Sequence, residues 1–397
     1  MPIDKTLAWM FLKGVSVLAY TSMHQPIVQG EARYQASDKP ARLLAVAGQP
    51  FVLGAGRDDG PYEFIDVVGA FYLSADRLMV ADGKSSQLRV FGVPDGRHLR
   101  TVGGVGQGPG EISDLWVAWR LPSGVVAEDG AGKASVFDLR GNFVRVLPRG
   151  VDASGRRVER IGVLNDTLSV GKLLDTLPSL KPGESRMLGM QLLAVTARSS
   201  RLIARYDERL LLRGPTGRAR TPVFGATSIV AVAGGRVCVG YTARYVIDCY
   251  SADGKHLTRT ERRGIRPSPV RSMDKEYFFA SEAAANPGPE GASYVARLRS
   301  TVSFSETMPL FGEFVAASNG DLWVGPYVPV GPIPMKRPFP TTPTTWSVYG
   351  VDGRWKADAT LPERFQLLSV DGMRAVGVRR DQDDVESIVV YTLRVQQ

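Results

Sequence analysis

Two acidic runs are the first residues here whose types suggest chemistry. Asp58, Asp59 and Glu63 form one, and Asp381, Asp383 and Asp384 form the other. Carboxylates brought together can hold a hard cation such as Ca²⁺ through oxygen, or share a proton at a raised pKa. No Asp-x-Asp-x-Asp-Gly loop accompanies them, so solvated acidic turns are the plainer reading and calcium the sharper one. The remaining metal and nucleophile chemistry is sparse. His24, His98, His256, Cys238 and Cys249 have no zinc spacing, and neither His-Glu-x-x-His nor Gly-x-Ser-x-Gly occurs. A third candidate lies in residues 325–345, where Tyr327, Lys336, Arg337 and Phe339 stand among prolines. Aromatic and basic side chains on a semi-rigid segment make a contact surface with a low ordering cost.

Gly104-Val-Gly-Gln-Gly-Pro-Gly-Glu-Ile112 has a near copy at Gly56-Arg-Asp-Asp-Gly-Pro-Tyr-Glu-Phe64. Such glycines could cradle a phosphate, but no Lys-Ser pair and no helical pattern follows. A structural role at a chain crossing fits better, with the glutamate accepting backbone N–H bonds.

The elements that position these residues are read from a repeat. Phe71–Gly103 holds four short apolar runs separated by Ala-Asp, Asp-Gly and Pro-Asp-Gly, the pattern of a four-stranded antiparallel meander. Comparable units begin near 71, 116, 158, 228, 314 and 365. The last lacks a fourth strand, and Ala41–Leu53 is a strand without a unit, so pairing Arg42–Ala47 with Ile388–Leu393 would close a ring. The expected fold is therefore all-β: a six-bladed β-propeller of four-stranded blades over residues 41–397, closed by an N-terminal strand in the last blade. Insertions at 173–188, 272–299 (two short helices) and 325–345 should gather on one face. The fourth unit aligns with the first without a gap, which puts Cys238 and Cys249 across one hairpin, as a disulfide or as two small buried apolar side chains.

The chain has 397 residues, 44% of them hydrophobic, and a net charge of +9. No dense Lys/Arg block with interleaved aromatics occurs, which argues against a nucleic-acid partner. No run of about 20 apolar residues follows the N-terminus, so no membrane span is expected in the body. Residues 1–32 read as a signal segment, with Lys5 and Lys13, apolar Leu7–Leu12 and Gly14–Tyr20, and small Gly30 and Ala32 near a cleavage point. Export to the periplasm, cell surface or medium is the expectation.

Val80-Ala-Asp-Gly, Leu88-Arg-Val-Phe, Asp95-Gly-Arg-His-Leu, Gly106-Gln-Gly-Pro-Gly-Glu111, Gly320-Asp-Leu-Trp-Val324 and Asp383-Asp-Val-Glu386 carry a resemblance. From about Ala41 to Val395 the chain resembles bacterial six-bladed propellers related to the NHL-repeat and TolB-like propellers. That resemblance implies a binding module, a lyase, or a calcium-dependent lactonase or esterase. The enzymes of this kind use His, Arg or metal clusters in the central channel, whereas His98 and His256 fall on outer fourth strands. The expectation is thus a non-enzymatic monomer that binds a protein, peptide or glycan, with a channel lyase or hydrolase as the alternative. Tyr327, Lys336, Arg337, Phe339, Asp58, Asp59 and Asp383 are the expected contacts.

Overall fold

A strand covered on both faces reads as an unbroken apolar run rather than an alternating one. Arg77–Asp82 and Gln87–Gly92 are such strands, each with five consecutive buried residues. The computed structural model describes residues 33–35, 40–54, 60–152, 154–214, 218–329 and 339–396. It opens on β1 (Arg33–Gln35) and β2 (Leu43–Leu53). The first meander is β3 (Val67–Ser74), β4 (Arg77–Asp82), β5 (Gln87–Gly92) and β6 (His98–Gly103). The second is β7 (Leu115–Leu121), β8 (Gly124–Asp129), β9 (Ala134–Asp138) and β10 (Phe143–Leu147). The third is β11 (Glu159–Asn165), β12 (Leu168–Leu174), β13 (Ser185–Val195) and β14 (Ser200–Leu212). The fourth is β15 (Ser228–Ala233), β16 (Arg236–Tyr241), β17 (Val246–Tyr250) and β18 (His256–Glu261). Helices α1 (Ser272–Ala285) and α2 (Pro289–Thr301) precede the fifth, which is β19 (Glu313–Ala316), β20 (Leu322–Gly325), β21 (Thr344–Tyr349) and β22 (Trp355–Leu361). The chain ends on β23 (Phe365–Asp371), β24 (Arg374–Arg380) and β25 (Glu386–Val395).

The fold is all-β and propeller-like, built from four-stranded antiparallel meanders with two helices among the described residues. β2 supplies the strand that the last group lacks. It runs antiparallel to β25, with Leu44 opposite Val395, Val46 opposite Leu393 and Leu53 opposite Ile388. The last strand thus takes the expected neighbour in a different register: Leu44–Ala47 face Thr392–Val395, and Ile388–Val390 face Phe51–Leu53 rather than Arg42–Ala47, because β2 runs on past Ala47 to Leu53. The expectation of separate four-stranded sheets needs correction. Leu43–Ala45 also pair in parallel with Asp358–Thr360 of β22, which joins the last two groups into one eight-stranded sheet. β1 likewise pairs in parallel with β18. Both contacts satisfy backbone groups along an outer edge that would otherwise be open to strand addition.

The first strands β3, β7, β11, β15, β19 and β23 lie side by side in that order, and β23 returns to β3. Apolar packing collects in the seams between successive meanders. Met79 and Val102 meet Val125 and Phe137, Leu121 and Val126 meet Val163, and Val170 and Leu192 meet Val237 and Tyr250. Ile247 meets Phe314 and Leu322, Trp346 meets Phe365 and Leu367, and Val376 and Ile388 meet Tyr72 and Leu78.

Two of the expected insertions differ in kind from the expectation. Leu173, Leu174 and Ser185–Leu188 are strand, not loop, and β14 continues through Leu212. The Leu-rich composition explains this, because Leu180, Leu188 and Leu211 bury one another beyond the ordinary end of the sheet. The helices are longer than short, at 14 and 13 residues. Turns between third and fourth strands repeat one device: Gly96, Gly141, Gly254 and Gly353 all take a left-handed backbone, which glycine adopts without strain.

Because Leu53 is buried beside Val376 and Ile388 while Leu43 is half exposed, the two ends of β2 should respond differently to truncation. Leu53→Ala should cost about 2–4 kcal/mol and Leu43→Ala less than about 0.5 kcal/mol, measured by urea unfolding. Equal losses would mean that β2 is not locked at its C-terminal end.

Candidate functional site

In an antiparallel meander, the connection between strands two and three leaves from the same end as the crossing to the next meander. The paired start of β13 and end of β14 (Ser185 opposite Leu212), α1–α2 and the long β20–β21 connection all belong to that end. They are physically joined. Arg213 Nη1 donates to the Leu180 carbonyl, and Leu212 and Arg220 exchange backbone bonds, so residues 218–224 start against the hairpin. Val223 then pairs with Ser303 and Ser305 beyond α2. Phe224 packs among Phe278, Phe279, Val295 and Leu298 of the two helices. Tyr327, just past β20, packs on the same cluster, and burial pushes its phenol up to about 12.

The far end of the β20–β21 connection is anchored elsewhere. Phe339 lies under the Arg380 guanidinium, 4.4 Å from ring centre to Cζ, and packs against the cluster that holds Phe51 and Tyr62. The Arg364 N–H donates to the Pro340 carbonyl at 2.6 Å. Tyr327 and Phe339 therefore hold this connection down at both ends rather than offering free rings. Trp346, which also follows this stretch, is buried in β21. Lys336, Arg337, Asp58 and Asp59 lie outside the described residues.

Asp381, Asp383 and Asp384 share the β24–β25 turn. Asp381 Oδ1 accepts from the Asp383 and Val385 N–H groups at 2.9 Å each, so that carboxylate shapes its own turn. Arg364 Nη2 lies 3.8 Å from Asp384, and the Asp383 side chain is exposed. Buried Glu386 accepts from Arg380 and from the Val67 N–H, tying the last strand to the first meander. Among the described residues, no three His, Cys, Asp or Glu side chains come together as a metal site would need. The Gly104–Ile112 crossing is closed in the same manner. Glu111 Oε2 accepts from the Gly108 N–H at 2.7 Å, and Lys133 Nζ donates to the carbonyls of Gln107, Gly108 and Glu111. A loop whose carbonyls converge on a lysine is the reverse of a phosphate cradle.

The densest polar group was not anticipated from the sequence. Asp248 on β17 is 2% exposed. It accepts from Tyr206 Oη at 2.6 Å, His256 Nε2 at 2.8 Å, and Arg259 Nε and Nη2 at 2.8 and 2.9 Å. Burial alone would raise the Asp248 pKa, but the hydrogen bonds from Arg259, Tyr206 and His256 outweigh it and hold the carboxyl below its usual range. Tyr250 is pushed up to about 12, first by burial and then by the Asp248 charge. All the carboxylate's acceptor positions are taken, so the group clamps the third meander to the fourth and has no lone pair left for a substrate. The available signal was positional. Asp248 aligns with Arg89, Ser135 and Ser347, each a buried polar residue on a third strand. On the other face of the same hairpin, Cys238 and Cys249 are joined as a disulfide at directly opposed positions.

No family model and no curated protein matches this chain. Solved structures do. A member of the DUF4221 family from Bacteroides vulgatus is 12% identical, with a TM-score of 0.51, over 90% of this chain and 100% of that one. A Bacteroides fragilis protein thought to be exported is 14% identical, with a TM-score of 0.46, over 92% and 99%. A luciferin-regenerating enzyme is 11% identical, with a TM-score of 0.39, over 88% and 96%. At 12% identity the likeness to the DUF4221 protein is one of fold.

Asp248→Asn should destabilise the protein by about 1–3 kcal/mol at pH 7, read from urea unfolding. A depressed folded pKa stabilises above the unfolded carboxyl value near 3.9 and is lost as pH falls through the folded value. The gap between variant and wild type should therefore narrow below about pH 4. A gap that stays constant to pH 2.5 would show that the charge of Asp248 is not what holds this seam.

The disulfide makes a separate prediction. The chain denatured without reductant should show no reactive thiol, and the Cys238→Ser/Cys249→Ser double variant should lose about 2–4 kcal/mol. Two reactive thiols in the chain denatured without reductant would refute the pairing.

Proposed function

We propose that this chain is an exported six-bladed propeller of the NHL-repeat and TolB-like kind, which binds a protein, peptide or glycan through its insertion-bearing face and catalyses no reaction. The circular order of the first strands supports six blades, with β2 completing the last one. The Cys238–Cys249 disulfide supports maturation in an oxidising compartment, in keeping with removal of residues 1–32.

The observation that carries the binding role is the joining of three insertions into one raised body. Residues 218–224 link the β13–β14 extension to α1–α2, and Tyr327 links that body to the β20–β21 connection. Blades pack on blades and tolerate little change, whereas loops at one end can be elaborated without disturbing the seams. Exposed apolar side chains follow the same division. Ile65, Val105, Val151, Leu177, Ile265, Met273, Tyr277 and Val385 stand in connections at the insertion end, against Leu139, Val351 and Met373 at the other. Among the described residues, eight against three is the bias expected of a contact face.

Replacing residues 328–338 with a short Gly-Ser linker keeps both anchors, Tyr327 and Phe339. The variant should melt within about 2 °C of wild type, since both anchors remain. It should no longer capture partners from an extract of the source cells. Capture of the same partners with unchanged affinity would place the binding face elsewhere.

A further inference from the structure

Two fourth strands carry an added parallel strand on their outer edge, and both additions follow one geometry. Gly254 and Gly353 take the same left-handed backbone in the turns before β18 and β22. Counted from those glycines, Arg259 and Asp358 stand at the same level, and each faces the first residue of an added strand: Arg33 opposite Arg259, Leu43 opposite Asp358. The next two pairs match as well. Tyr34 faces Thr260 where Leu44 faces Ala359, and Gln35 faces Glu261 where Ala45 faces Thr360. Arg-Tyr-Gln and Leu-Leu-Ala have no side-chain chemistry in common. Direction, level and register therefore belong to the edge and its backbone, not to the segment that fills it.

The two fillers are held very differently. β2 runs for 11 residues and is bound on its other side by β25. β1 has 3 residues and, among the described residues, pairs with β18 alone. Ordering the backbone of such a short segment cancels most of what its few backbone bonds return. β1 is thus an exchangeable cover, and its pairs reach only Arg259–Glu261 of a strand that begins at His256. The edge beneath it is fixed. The Arg262 N–H donates to the Tyr245 carbonyl, so alternation along the strand turns the Thr260 N–H toward β17 and those of Arg259 and Glu261 outward. Arg259 is fastened to Asp248 through Nε and Nη2, and Thr260 Oγ1 donates to the Gly353 carbonyl of the next meander. An edge held in line with its donors outward is a template for another strand.

We propose that the outer edge of β18 is a strand-addition site for an extended peptide of a partner protein, which enters parallel to β18 and displaces β1. A partner segment that pairs along all 6 residues of β18 makes about twice the backbone bonds of the cover it removes. The β22 edge illustrates the outcome, since the strand held there is the longer one. Recognition through the main chain selects for a segment that extends readily, rich in β-branched residues and free of proline, rather than for charge. This surface lies on the outer wall of the ring and is separate from the insertion face.

The test uses the full chain and a labelled peptide of about ten residues that sets Arg-Tyr-Gln within alternating Thr and Val. Tyr34 stands opposite Thr260, between the two outward N–H groups, so its own amide faces β18. Two further peptides are N-methylated, one on the Tyr and every second residue from it, the other on the remaining set. In fluorescence anisotropy the unmethylated peptide and the second methylated one should bind, and the first methylated one should bind at least tenfold more weakly. Tyr34→Pro removes a donor from the cover and should tighten peptide binding at least threefold. Glu261→Pro removes an outward donor and leaves the bonds to β17, a position where an edge strand accepts proline. It should weaken binding at least tenfold with an unchanged melting curve. Binding that ignores which set is methylated, no binding at 1 mM, or either variant binding like wild type would overturn the proposal. A peptide that Glu261→Pro still holds, but that is lost on replacing residues 328–338, would overturn strand addition and leave the role of the insertion face standing.

Discussion

Each meander buries both of its faces only because a neighbour covers them, so the seams decide whether this chain folds. Apolar contact fills their interior, but every seam also brings turn carbonyls against the next sheet, where water is partly excluded. Those acceptors need donors. Arginine supplies them seam after seam. Arg100 reaches the Arg140 carbonyl and Arg120 that of Tyr72. Arg160 reaches Pro148, Arg201 reaches Ala252, Arg236 reaches Gly320 and Val351, and Arg374 reaches Ala75. At the remaining seam, the backbone itself does this work, since the Asp358 N–H donates to the Arg42 carbonyl. A guanidinium offers five donors in a rigid fork and stays charged, so one side chain can serve two carbonyls across a gap.

A second device repeats at the insertion end. Gly83 donates its N–H to the Asp66 carbonyl, Gly130 to Asp114 and Thr242 to Thr227. In each case the residue after a second strand grips the crossing that leads into its own first strand. Side chains reinforce the grip, as when Asp82 accepts from the Ile65 N–H and Thr242 from the Thr227 N–H. These bonds tie three of the crossings to the sheets they enter. Insertions can then rise from that end without altering where the next blade begins.

Much of this was legible from sequence because blades repeat the same local choices. Runs such as Leu88-Arg-Val-Phe and Trp346-Ser-Val-Tyr mark third strands, and the aromatic that closes each is buried. The lone strand before the first unit and the missing strand after the last could be matched by count alone. Edge pairing was not legible, since β1 and the start of β2 add to outer strands in parallel through backbone bonds that carry no side-chain signature. The β13–β14 extension reads as a loop in sequence because Pro178, Pro182 and Lys181 interrupt its Leu-rich run, while cross-strand burial of Leu188 and Leu211 extends the sheet. The site was less legible than the fold. Tyr327 and Phe339 read from sequence as partner contacts, whereas both rings pack inward as anchors, and aromatic anchors and aromatic contacts look alike until their packing is seen. Asp248 was hidden for a different reason, since its partners come from β14 and β18 and only the seam brings them together.

The arginine content also bears on recognition. A net charge of +9 would ordinarily suggest a polyanion-binding surface. Here many of the guanidiniums are directed into seams, where their donors meet carbonyls and buried carboxylates, as at Arg236 and Arg259. Such charges are spread around the ring at regular intervals, and a field distributed in that way selects no particular partner. Local excess matters more than the total. Arg263, Arg266 and Arg271 lie in the crossing from β18 to α1, beyond the seam positions that the other arginines serve. That crossing also leads into the raised body formed by the insertions. Even there the excess is partly balanced, since Arg263 pairs with Glu261 and Arg299 with Glu276, so the total of +9 does not by itself mark one site.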